Sequence, residues 1–148
     1  MSIELTKKGK VVVIGLATIG IMLLWLFASS SVLTNPSTVP PGTTTGFYKI
    51  DGQYGDHLIN TNADLLIVDA NTNSTLYLQG FYVTKAVWST DPSVYFGTSR
   101  PIMVYSTPDD AAAAYCQGLM GKVYGQVYLM KGGYEGWYAW VHRNDGGG

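Results

Sequence analysis

Three features of this chain carry side chains able to do chemistry: the run Ser106-Thr107-Pro108-Asp109-Asp110, a lone thiol at Cys116, and the triplet Asn73-Ser74-Thr75. A serine attacks only when a base takes its proton, and no His or Lys lies close to Ser106 in sequence to do so. The same run reads well as the start of a helix. Thr107 suits an N-cap, Pro108 the first helical position, and Asp109 and Asp110 the positive end of the helix dipole. An acid three residues after the cap is close to a capping box. Cys116 is the single cysteine, so no intramolecular disulfide forms. It falls inside the helix expected from Pro108 to Met120, where a buried thiol is inert and its pKa raised. His57 and His142 are far apart and lack the spacing of metal ligands, so neither a metal nor another cofactor is expected. Asn73-Ser74-Thr75 is an acceptor triplet for N-linked glycan in a loop context.

The elements that must position these residues follow a long apolar segment. Val11 to Leu33 contains no charged residue, and at ~1.5 Å per residue it spans the ~30 Å hydrocarbon core of a bilayer. Lys7, Lys8 and Lys10 precede it and no basic residue follows until Lys49, which predicts a cytoplasmic N-terminus (1–10), a transmembrane helix (11–33) and everything beyond on the outer face. Trp25 and Phe27 lie near the outer end, where aromatic rings favour the interface. The small residues Ala28-Ser29-Ser30-Ser31 also fit a cleaved secretory signal, and either reading exports the rest of the chain.

Thr34 to Thr45 is rich in Pro, Ser and Thr with no apolar period, and predicts an extended stalk (34–46) before an external domain (47–143) and a flexible Gly tail (144–148). Six basic residues against nine acidic ones leave the part after Leu33 at a formal charge of −3. With no basic cluster to neutralise phosphates, nucleic acid is not an expected partner. All eleven Tyr fall in this part, so its polarity comes from hydroxyls more than from carboxylates. Within it, the apolar runs Asp64 to Asp69, Ala86 to Trp88, Ile102 to Tyr105 and Gln126 to Met130 predict buried parallel strands. Thr72 to Gln79 predicts a short helix or turn, Pro108 to Met120 a helix, and Tyr134 to Val141 a final helix after a Gly132-Gly133 turn. Strands alternating with helices give an α/β domain with a mostly parallel sheet flanked by helices.

From about Ala63 to Val141 the chain resembles the rhodanese-like domain family. The strand LLIVDAN is similar to that family's strand ending in Asp-x-Arg, with Asp69 on the Asp and Asn71 in place of the Arg. In YLQGFYVTKAVW, Tyr77, Gly80 and Ala86 fit the Tyr-x-x-Gly-His-Ile-Pro-Gly-Ala segment, while Phe81, Val83 and Thr84 depart from it. VYLMKGGYEGW matches the closing strand, glycine turn and following Trp through Gly132, Gly133, Gly136 and Trp137. The family's catalytic strand ends in Tyr-Cys and its loop closes on an Arg. Here Tyr105 is followed by Ser106, and Ala111 holds the position of the Arg. A rhodanese Cys carries sulfur as a persulfide anion cradled by loop amides. Ser106 cannot, and Asp109 and Asp110 add negative charge where an anionic donor would approach.

The resemblance therefore implies a vestigial loop, Ser106 to Ala111, on a domain without sulfurtransferase activity. The expected role is that of an accessory or structural subunit, held on the outer face of the bilayer against integral membrane subunits of a larger complex. A respiratory or sulfur-oxidising assembly follows only from the family's link to sulfur chemistry. Tyr134, Tyr138 and Trp140 are the candidate contact surface. Two alternatives stand beside this reading: a sulfurtransferase or sulfur carrier using Cys116, and a small-ligand site near Asp69, Ser106 and Asp110.

Overall fold

Ile102 to Tyr105 and Val127 to Met130 are apolar at every position, so neither pleat face of these segments tolerates water. In the computed structural model, which describes residues 40–146, they become the middle of a parallel sheet. The expected transmembrane helix and the first part of the stalk lie outside the described residues. Among the described residues no helix is long and apolar enough to cross a membrane.

The elements run β1 (Tyr48–Ile50), α1 (Gly52–Thr61), β2 (Leu66–Asp69), α2 (Thr75–Leu78), β3 (Val87–Trp88), a 3-10 turn (Pro92–Tyr95), β4 (Ile102–Tyr105), α3 (Asp109–Leu119), β5 (Val127–Met130) and α4 (Gly133–Val141). The five strands lie in the order β1-β5-β4-β2-β3, every pair parallel. The domain is α/β, with helices on both faces of the sheet. On one face Ile67, Met103, Tyr105, Tyr128 and Met130 pack with Leu58 and Ile59 of α1 and with Tyr134 and Trp137 of α4. On the other, Val68, Ile102, Val104, Val127 and Leu129 pack with Ala112, Tyr115, Cys116 and Leu119 of α3. Each large aliphatic side chain so buried contributes ~1.5–3 kcal/mol, which makes this two-sided core the main stabilising term.

The four expected strands and the two expected longer helices form within a few residues of their predicted bounds. The sequence announced neither β1 nor, more notably for its length, α1. Its sequence GQYGDHLINT has two glycines, each disfavouring an isolated helix by ~1 kcal/mol relative to Ala. Packing explains them. A Cβ on Gly52 would lie 2.6 Å from the Gly136 carbonyl of α4, and one on Gly55 2.4 Å from the Met130 sulfur. Asp51 starts the helix by accepting the Tyr54 N–H at 2.8 Å.

The stalk boundary moves. Thr44, expected in the stalk, donates its N–H to the Val123 carbonyl (2.8 Å) and its hydroxyl to that of Gly125 (2.6 Å), and accepts the Gly121 N–H (2.8 Å). These bonds tie it to the loop after α3, so the folded unit begins before Phe47. At the other end, Asp145 of the expected tail pairs with His142 at 2.5 Å.

Gly125 sits where that loop crosses the approach to β4. A Cβ there would lie 2.0 Å from the Arg100 carbonyl oxygen, and backbone cannot swing aside as a side chain can. Gly125→Ala should lower unfolding stability by roughly 1–3 kcal/mol in urea titration. Gly46→Ala, at an exposed site with nothing within 4 Å of the added carbon, should leave it nearly unchanged.

Candidate functional site

After β2 the chain turns toward β3, and after β4 it turns the opposite way toward β5. The crevice outside the carboxyl ends of β2 and β4 is therefore the switch point of the sheet, where open α/β domains place their sites. Asp69 and Tyr105 end these strands as register partners, and the Ser106 to Ala111 loop leaves from there.

A relay of polar groups closes this end of the sheet. The buried Asp69 carboxyl accepts the backbone N–H (3.0 Å) and side-chain amide (2.7 Å) of Asn71 on one oxygen, and the Tyr105 hydroxyl (3.3 Å) on the other. The Tyr105 oxygen accepts the Val83 N–H at 3.1 Å. Asn71 then spans the crevice. Its side-chain oxygen accepts the Thr107 N–H at 2.8 Å, and its backbone carbonyl accepts the Trp88 indole N–H at 2.8 Å. Burial, reinforced by the Asp69 carboxyl, pushes the Tyr105 phenol far above its ordinary range, so it stays a donor.

Ser106 is fully buried. Its hydroxyl accepts the Ala112 N–H at 2.7 Å and donates to the Pro108 carbonyl at 2.6 Å. Both its donor and its acceptor role are used within its own loop, and no base touches it. The expected cap is thereby corrected. α3 begins at Asp109 with Pro108 in the cap position and no side-chain cap bond, so Thr107 is not its N-cap and Pro108 is not its first helical residue, while the Thr107 N–H is taken by Asn71 across the crevice. The Ser106 oxygen serves the first turn instead. Asp109 reaches away from its helix and accepts the Gly132 N–H at 3.0 Å, tying the loop to the start of α4. Asp110 is exposed and Ala111 half-buried. Among the described residues no cation forms an ion pair with any carboxylate of this loop.

Asp110 is exposed, while Asp69 and Ser106, the other residues of the expected ligand pocket, are buried behind the relay. A cleft of about 240 Å³ lies next to it, lined by Asn71, Thr72, Asn73, Thr75, Leu76 and Thr107, none of them charged. A wider one, about 560 Å³, runs along the outer edge of β1 between Tyr48, Tyr54, Tyr128 and Lys131. The sequence hinted at this second cleft only through its abundant tyrosines. Among the described residues no three His, Cys, Asp or Glu side chains converge as a metal set.

The candidate contact surface divides. Tyr134 and Tyr138 stack 5.5 Å apart, and the strip continues to Phe81 (6.2 Å from Tyr134) and His142 (4.0 Å from Tyr138). Trp140 belongs to another side of α4, where the Arg143 guanidinium lies 3.6 Å over its ring. Residues two apart on a helix diverge by ~200°, which separates Tyr138 from Trp140. Phe81, which sequence reasoning left out, is half exposed. Cys116 faces the sheet from α3, fully buried, with its sulfur 4.0 Å from the Tyr128 carbonyl. Burial pushes its thiol up to about 12.

No protein-family model matches this sequence, and no curated protein or solved structure is significantly similar to it.

Ser106→Ala should lower stability by about 1–3 kcal/mol in urea titration, because the buried Ala112 N–H loses its partner. The thiol should resist alkylation at pH 8 in the folded protein and react on denaturation. Burial raises both Cys116, from 9.0, and Tyr115, from 10.0, to about 12, so the folded state holds these protons more tightly than the unfolded chain. Their contribution to stability is therefore complete below pH ~9 and should be lost as pH rises toward ~12, as thermal melts across that window would record.

Proposed function

We propose that this chain is a membrane-anchored, exported and non-catalytic rhodanese-like domain that serves as an accessory subunit of a membrane protein complex. The observation that carries the reading is the state of Ser106. It stands where the resemblance puts the catalytic Cys, and its hydroxyl is buried and fully engaged in bonds that hold its own loop. A nucleophile must be exposed to substrate and poised against a base, and this group is neither. The parallel α/β sheet, with the loop at its switch point, is compatible with the family scaffold. Sulfur carriage through Cys116 draws no support from a thiol sealed between α3 and β5.

Contact with a partner is assigned to the strip Phe81, Tyr134, Tyr138. Phe81 and Tyr138 are half exposed, and aromatic side chains give large contact areas with little conformational entropy to lose. Integral membrane subunits are the natural partners of a domain tethered at the bilayer. A respiratory or sulfur-oxidising complex is the first assembly to examine, by family analogy.

Mild detergent extraction of native membranes, native-gel separation and mass spectrometry of the band should find this chain with larger membrane subunits in fixed stoichiometry. A paired Phe81→Ser, Tyr138→Ser variant should fold with an unchanged far-ultraviolet spectrum and leave that band. Migration of the unaltered chain as a lone 16.0 kDa species in several mild detergents would overturn the proposal.

A further inference from the structure

The triplet Asn73-Ser74-Thr75 has no part in the relay that closes the sheet, although it lies beside it. It sits in the connection between β2 and α2, with Asn73 exposed. The Asn73 side-chain oxygen accepts the Thr75 N–H at 2.7 Å and also the Thr75 hydroxyl. Its amide nitrogen has no hydrogen-bond partner among the described residues. The acceptor oxygen is thus held by the third residue of the triplet, while the nitrogen that would be modified belongs to an exposed side chain and has no partner among the described residues. Asn71, by contrast, has its amide nitrogen on Asp69 and its oxygen on Thr107, and lacks a hydroxyl residue two positions on.

We infer that Asn73 is a site of N-linked glycosylation. The inference rests on the exported placement proposed above, because the reaction needs a lipid phosphate-linked oligosaccharide and its transferase on the outer face. The amide nitrogen bonds to the anomeric carbon of the first sugar as the carbon–oxygen bond to the lipid phosphate breaks. The lipid phosphate leaves with that electron pair, and the nitrogen loses one proton. The attached sugar stands at the rim of the cleft formed by Asn71, Asn73 and Thr107, beside the Ser106 loop.

The test is mass spectrometry of the full chain isolated from its native membranes, together with the peptide bearing Asn73. Carbohydrate should raise the mass above the 16.0 kDa of the polypeptide and map to Asn73. It should vanish in Asn73→Gln and in Thr75→Ala, and persist in Thr75→Ser, which keeps the hydroxyl. Protease accessibility of the domain in sealed, right-side-out membranes, measured in parallel, separates the two readings. An accessible domain with an unmodified Asn73 peptide overturns the glycosylation and leaves the export intact. A protected domain overturns both.

Discussion

The arrangement of this domain depends on one buried carboxyl group. Asp69 ends a central strand where water does not reach, and a carboxyl in such a place is tolerated only when its oxygens are hydrogen-bonded. Asn71 and Tyr105 supply those bonds, and through them the ends of β2 and β4, the segment before β3 and the Ser106 loop become parts of one network. Hydrogen bonds in a low-dielectric setting strengthen one another, and a single missing member leaves the others unpaired. Among the described residues no buried side-chain nitrogen or oxygen lacks a partner.

That network decides what the loop is able to do. An anion cradle needs backbone N–H groups left free at the start of a helix, with a cation or dipole to match. Here the Thr107 N–H is held by Asn71, the Ala112 N–H by Ser106 and the Gly132 N–H by Asp109. These three donors face protein and not an open crevice. The first turn of α4 seals the arrangement from above, since a Cβ on Gly133 would lie 2.2 Å from the Thr107 hydroxyl. The loop is tied to the starts of both helices, and on the outer side of α4 Tyr134 and Tyr138 line up with Phe81 as an aromatic strip.

Four of the five strands and α3 were legible because their cause is local, whereas β1 was not. Continuous apolar runs admit only a strand buried on both faces, and an Ala-rich run after acids admits a helix. The burial of Cys116 followed from its place in that helix. The loop was legible in part. Its residues could be named, and Ser106 as a poor nucleophile, but the cap was assigned to Thr107 on propensity alone. The sequence carried no sign that Asn71, thirty-six residues away, would take the Thr107 N–H. Likewise Tyr134, Tyr138 and Trp140 could be listed as aromatic neighbours, while Phe81 joins the first two only by folding.

By itself, then, the sequence determined the α/β class, the strand-forming and helix-forming runs, the charge balance and the absence of a thiol at the end of β4. Tertiary structure alone decided the existence of α1, whose glycines disfavour a helix until close packing against α4 and β5 rewards them. It also decided the inclusion of Thr44 in the folded unit, the fate of the Ser106 hydroxyl and the division of the aromatic surface. The physical reason is common to all four. Propensity and periodicity act over one or two turns of chain, whereas close approach and hydrogen-bond satisfaction join residues that only the sheet brings together.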